Sequence, residues 1–226
     1  MTRLPFITFE GSEGCGKSTQ VRLLAARLTN AGVPLFLTRE PGGTVIGEKI
    51  RHLLQFDPES LAMTPETELL LFEASRSQLV REKIQPALEG GMVVISDRFA
   101  DSTTVYQGVA RRLDQEMVGH LNTVAVGRCW PDLTFVLDVD VATAFARMRR
   151  RVRPANTPDR MEQEPPKFYE AVCAAYRELA AREPHRVQLL DGGQPIEALE
   201  EEIWEIIAAR FGSLARLVPA TRGRGA

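Results

Sequence analysis

The chain has 226 residues, 44% of them hydrophobic, and a formal net charge of −2. That length and apolar content suit one α/β domain with a sizeable core, and the near-neutral balance excludes the global basic field of a nucleic-acid binder. The apolar runs are too short to span a membrane, and the three widely spaced cysteines (Cys15, Cys129, Cys173) fit neither a disulfide framework nor a zinc site, so a reducing cytoplasm is the expected location.

The first predicted strand, Phe6-Ile7-Thr8-Phe9, runs into Gly11-Ser12-Glu13-Gly14-Cys15-Gly16-Lys17-Ser18. Thr19 and a helical pattern over Gln20–Leu28 come next. The octet fits G-x-x-x-x-G-K-[ST], the phosphate-cradling P-loop, in the strand-loop-helix context the motif needs. Its glycines allow a tight path on which successive N–H groups face phosphate oxygens, Lys17 reaches the β- and γ-phosphates, and the Ser18 hydroxyl is a Mg²⁺ ligand. The helix that starts here adds its positive end. Cys15 reads as a small residue at a variable position.

Asn30-Ala31-Gly32 stops that helix, and Pro34–Thr38 is the second strand. Arg39-Glu40-Pro41-Gly42-Gly43 comes after it, a turn that can bring the Arg39 guanidinium to a phosphate or simply carry a solvated ion pair. Helical patterns cover Gly47–Gln55 and Pro65–Leu88, the second ending at Gly90-Gly91. Within it Phe72 and Arg76 stand one turn apart on one face, either a stacking aromatic with a planar donor for a base edge or a core Phe beside a surface Arg. Met92–Ser96 is a continuous apolar run and reads as a buried parallel strand. Asp97 after it can hold Mg²⁺ through water or orient an acceptor, and Arg98 can neutralise an acceptor phosphate.

A broken helical region is expected over Thr103–Val126, a fourth strand at Leu133–Leu137, helices at Val141–Arg151 and Pro166–Arg182, a fifth strand at Arg186–Leu190 and a last helix at Ile196–Phe211. Five strands alternating with helices predict a parallel sheet covered on both faces. Arg147–Arg153 is the densest positive run and precedes a Pro-containing loop. It reads as a basic lid over about 147–162, with Asp159-Arg160-Met161-Glu162 as its hinge, or else as a solvated helix face or nucleic-acid patch. Residues 1–212 are expected to form one kinase domain and 213–226 a flexible tail.

Taken together, Phe9–Thr19, Thr38–Gly43, Leu71–Arg76, Asp97-Arg98-Phe99, Tyr106-Gln107-Gly108 and Asp159–Glu162 resemble the thymidylate kinase family over nearly all of residues 5–211. The resemblance implies a three-layer P-loop nucleoside monophosphate kinase fold that phosphorylates dTMP with ATP and Mg²⁺, as a homodimer. By position it implies that Phe72 stacks on the thymine and Arg76 bonds its edge. Arg98 and Arg39 hold the acceptor phosphate, and Thr103 and Gln107 contact the base. Tyr106 packs under the deoxyribose, and Glu13 contacts the acceptor sugar or metal region. The P-loop lacks an Arg, so the chain resembles the bacterial subgroup with a basic lid, in which Arg151 and Arg153 would act catalytically. Phe99 departs from the Tyr or His common after Asp-Arg. Three other readings remain: another nucleoside monophosphate or small-molecule kinase on the same fold, a GTPase-type switch, for which a guanine-reading Asn-Lys-x-Asp is missing, and a nucleic-acid binder using Arg147–Arg153.

Overall fold

Five strands carry the apolar runs of the sequence: β1 Phe6–Glu10, β2 Leu35–Arg39, β3 Val93–Asp97, β4 Leu133–Asp138 and β5 Val187–Asp191. In the computed structural model, which describes residues 3–150 and 160–218, they form one sheet in the order β2-β3-β1-β4-β5. Every pairing is parallel. Parallel neighbours need crossovers, and helices supply them. They are α1 Lys17–Asn30, α2 Val45–Gln55, α3 Pro65–Leu79, α4 Gln85–Glu89, α5 Ala100–Thr103, α6 Gln115–Val126, α7 Val141–Arg149, α8 Pro166–Arg182, α9 Ile196–Arg210 and α10 Gly212–Ala215.

The expected helix over 65–88 is continuous, but Val80–Ile84 is wound as a π segment between α3 and α4. The region expected to break between 103 and 126 does so. Thr104–Ala110 is a second π segment, and α6 restarts where Asp114 caps the amide of Met117 at 2.7 Å. A short 3₁₀ turn at Pro58–Ala62 has no counterpart among the sequence expectations.

Strand β1 lies at the sheet centre and every residue in it is buried. Ile7 and Phe9 pack with Val21, Leu24 and Leu28 of α1 and with Ile203 and Ile207 of α9. Phe6 faces the other layer, against Leu79, Ile84 and Phe99. Thr8 and Glu10, on Phe6's side of the pleat, are polar and fully buried. They survive there by hydrogen bonding: Thr8 Oγ1 lies 2.8 Å from Thr134 Oγ1, which donates in turn to Asp101, itself held by Arg186 at 2.7 and 2.9 Å.

The chain does not become free at Ser213. Leu214 is fully buried in the α1–α9 layer, and Val218 packs against the same cluster. Burying a leucine of this kind contributes about 1.5–3 kcal/mol, enough to hold a short C-terminal turn in place. The Arg, Gly and Pro content that suggested a loose tail lies mostly in residues 219–226, outside the described residues.

The sheet order puts β1 between β3 and β4, so α1 and the segment after β3 leave on diverging paths. The carboxyl ends of β1, β2 and β3 therefore open a crevice, the place where ligands bind in such sheets.

Candidate active site

The loop after β1 is shaped by backbone needs. Gly11 has φ +130°, and a Cβ there would lie 2.5 Å from the Leu137 carbonyl oxygen. Gly16, at φ +105°, is the N-cap of α1 and no side chain caps the helix, so its first-turn amides remain available to an anion. Lys17 is buried and donates from Nζ to the carbonyls of Gly11 (3.0 Å) and Ser12 (2.7 Å), with Cys15 Sγ at 3.4 Å. A buried ammonium needs such partners. Parallel pairing of β1 and β3 sets Asp97 opposite Phe9, and Ser18 Oγ donates to Asp97 Oδ2 at 2.6 Å.

Arg98 comes directly after, at φ +72°. Its Nη2 donates to Glu13 Oε1 at 2.7 Å, and its Nη1 to the Gly11 carbonyl and Ser102 Oγ, both at 3.1 Å. The guanidinium lies 5.1 Å over the Tyr106 ring, whose hydroxyl donates to Glu13 Oε2 at 2.7 Å. Burial works against charge on Glu13, but Arg98, Lys17 and the Tyr106 hydroxyl hold its carboxyl below the usual range. Burial pushes the Tyr106 phenol well above its ordinary value.

Behind this pair sits Glu10. It accepts the Phe99 amide at 2.7 Å, Ser102 Oγ at 2.6 Å and the Tyr176 hydroxyl at 2.7 Å. Burial, with Asp101 nearby, raises its carboxyl. Sequence reasoning does not single out Glu10. Its signal is an acidic residue inside a strand that is otherwise buried.

Glu13, Phe72, Arg98, Thr103, Tyr106 and Gln107, six of the residues singled out from the sequence, line one cavity. Gln55, Ser102 and Met161 also line it and are not among the sequence candidates for the site. Glu13 and Arg98 also line an adjoining cleft with Lys17, Ser18, Arg39 and Asp97. Arg39 is half-exposed there and forked onto Glu48 at 3.0 and 3.1 Å. A third groove continues from Gly14, Cys15, Gly16 and Thr19 to Arg147, whose Nη1 donates to the Gly192 carbonyl at 2.9 Å. Ser12 is buried beside Lys17. Arg151, Arg153 and most of the expected lid lie outside the described residues.

Arg76 does not join these six. Its side chain is 1% exposed and does not line the cavity. Nε donates to Glu40 (2.9 Å), Nη1 to Glu73 (2.6 Å) and Asn122 (3.0 Å), and Nη2 to the Phe99 carbonyl (3.3 Å) and Thr103 Oγ1 (3.0 Å). Every N–H of the guanidinium is thus engaged within the protein. Arg76 anchors Thr103, which does face the cavity. The i, i+4 spacing from Phe72 is as expected, but acceptors brought in from the end of β2 and from α6 capture the guanidinium.

A P-loop lysine, a Ser–Asp pair and an arginine shared between two adjoining cavities form the frame of a phosphotransferase. The sequence profile of the thymidylate kinase family matches residues 9–203. The chain belongs to that family. It is 46% identical over 207 residues to the thymidylate kinase of Geobacter sulfurreducens, covering 91% of this chain and 97% of that one. It is also 46% identical over 202 residues to that of Thermomicrobium roseum, covering 89% and 93%. The crystal structure of thymidylate kinase from Ehrlichia chaffeensis superposes with a TM-score of 0.73 at 34% identity, over 91% of this chain and 99% of that one. As a thymidylate kinase family member the chain is an enzyme, a transferase of nucleotide biosynthesis with ATP as phosphoryl donor, and the expected five-stranded P-loop kinase fold is the one it has.

Proposed function

We propose that the chain phosphorylates dTMP to dTDP by direct in-line transfer from Mg·ATP, with the acceptor in the Phe72–Gln107 cavity and the donor phosphates on the P-loop. Family membership supports the reaction. The observation that carries the residue roles is the position of Arg98, which lines both the acceptor cavity and the P-loop cleft.

In this reading Phe72 stacks on the base, Thr103 and Gln107 contact its edge, and Tyr106 packs under the sugar. The acceptor phosphate oxygen is already nucleophilic, so no strong base is needed. Arg98 exchanges Glu13 for that phosphate and holds it in line, with Arg39 turning from Glu48 toward the same charge. Lys17 leaves its own loop carbonyls to hold the donor phosphates. Positioning and charge neutralisation then account for the chemistry. Arg151 and Arg153 are assigned to the lid by position alone.

The Ser18 hydroxyl and Asp97 carboxylate, 2.6 Å apart, fit Mg²⁺. Mg²⁺ is commonly bound through one or two protein oxygens, with substrate phosphates and water completing its shell. Bound there, it would neutralise charge on the transferred phosphoryl group. The free cysteines suit a reducing cytoplasm.

The test is ADP release with Mg·ATP against dTMP, dUMP, ribothymidine monophosphate, dCMP, AMP and GMP. The expected order is strong turnover on dTMP, weaker on dUMP and little on the rest. Turnover confined to another acceptor would leave a kinase of different substrate.

The homodimer is supported by exposed apolar side chains on α3 and α6. Leu70 on α3 is 55% exposed, and Met117 and Val124 on α6 are 38% and 69% exposed. The π segment after α3 is tied to α6 by Arg81, which donates to the carbonyls of Val124 and Ala125. Sedimentation should give one species at twice the 25.1 kDa chain mass, and Val124→Glu should shift it toward monomer. A wild-type chain that sediments as a monomer would remove the dimer.

A further inference from the structure

An amide side chain has a donor end and an acceptor end, so the direction in which Gln107 points decides what it can read. Its Nε2 donates to Glu68 Oε1 at 2.6 Å. Glu68 stands on α3 and is 1% exposed. Arg111 donates to its two oxygens from Nε and Nη2, both at 3.2 Å, and Arg160 Nη2 donates to Oε2. Both guanidiniums are held in turn, Arg111 by Glu164 at 2.5 Å and Arg160 by the Leu54 carbonyl at 3.1 Å. A carboxylate this deep stays ionised only with such partners, and an ionised carboxylate only accepts. Burial opposes the charge, but Arg111, Arg160 and the Gln107 amide keep Glu68 below the usual carboxylate range. The nitrogen end of Gln107 is therefore fixed toward Glu68. Its carbonyl Oε1 takes no hydrogen bond from the described residues, and Gln107 lines the acceptor cavity.

We infer that Glu68 is a positioning residue that fixes the polarity of Gln107, so that the cavity offers a carbonyl to a protonated ring nitrogen. This rests on the proposed acceptor site and deepens it. Thymine and uracil carry a hydrogen on N3. Cytosine carries a lone pair there, which would meet the Gln107 carbonyl lone pair against lone pair. Discrimination of this kind is strong because the wrong ligand leaves a buried polar group unpaired.

The test compares kcat/KM for dTMP and dCMP, with KM and kcat separated, in wild type, Glu68→Gln, Gln107→Ala and the double variant. An amide at 68 can donate or accept, so Gln107 is freed to turn. Glu68→Gln is expected to lower the dTMP-to-dCMP ratio by roughly 10- to 100-fold, mainly through KM for dTMP, with KM for ATP unchanged. In the Gln107→Ala background the same substitution should leave the ratio where it was. Should Glu68→Gln fail to fold, Glu68→Asp carries the test: it keeps the charge but withdraws the oxygens, and the ratio should move the same way. A folded Glu68 variant with an unchanged ratio, or one with equal effects in both backgrounds, would overturn the inference and leave Glu68 as scaffold. A wild-type enzyme with no preference for dTMP over dCMP would instead overturn the acceptor assignment itself.

Discussion

Replacing Arg98 with alanine is expected to lower kcat/KM for dTMP by roughly 10²- to 10³-fold while leaving ATP affinity nearly unchanged. The asymmetry comes from the groups each ligand touches. In the proposed mode ATP phosphates rest on the P-loop amides and Lys17, whereas the acceptor phosphate meets Arg98. Arg98 is also one of the groups, with Lys17 and the Tyr106 hydroxyl, that favour the ionised form of Glu13, so its removal strips the acceptor side of a cation and loosens the Tyr106–Glu13 contact together. Arg98→Lys should recover only part of the loss, since a point charge cannot span Glu13, Ser102 and the Gly11 carbonyl as the fork does. Steady-state kinetics with dTMP varied at saturating ATP, alongside direct ATP titration, separate the two effects. Equal losses for both ligands would take Arg98 out of the acceptor site.

Arg76→Met is expected to destabilise the fold by roughly 3–5 kcal/mol, the cost of leaving buried charge without its partner. Two carboxylates depend on this guanidinium: Glu40, 2.7 Å from Nη2, and Glu73, 2.6 Å from Nη1. Burial already pushes the Glu40 carboxyl up to about 7, against the downward pull of Arg76. A folded-state value above the unfolded one means Glu40 favours folding at low pH and loses that contribution as pH rises from about 4.5 through about 7. Without Arg76 the value climbs further. The penalty of Arg76→Met should therefore be largest above neutrality and shrink toward pH 5, where Glu40 takes up a proton. Urea unfolding of both proteins at pH 8 and pH 5 measures this. A penalty independent of pH would mean that lost packing, not unpaired charge, is responsible.

Much of this molecule is legible in its sequence because local rules decide it. The P-loop is a matter of spacing, the strands are apolar runs, and Asp97-Arg98 stands out because polar residues at the carboxyl end of a buried parallel strand face the ligand crevice. The less legible part depends on which distant side chains meet. Glu10 and Tyr176 are 166 residues apart, and Gln107 and Glu68 are 39 apart. A glutamate in a helical pattern reads as solvated face until Arg111 and Arg160 close over it. Arg76 shows the same limit from the other side. Its helix face is legible, but the Glu40 and Asn122 that occupy it come from 36 and 46 residues away. The π turns at Val80–Ile84 and Thr104–Ala110 continue α3 and α5 with no break in winding, and an extra residue per turn leaves no mark on apolar spacing that short.

The Glu13–Arg98 pair sets the terms on which an anion can reach the guanidinium. In the proposed mode an acceptor phosphate takes Arg98 from the Glu13 carboxylate that it holds at 2.7 Å. A newcomer gains only the difference between its own attraction to Arg98 and the one it displaces. A dianionic phosphate can win that exchange, whereas an uncharged nucleoside brings nothing to trade and leaves the pair shut. In that mode charge is tested before the base, and thymidine, which carries none, is expected to bind more weakly than dTMP.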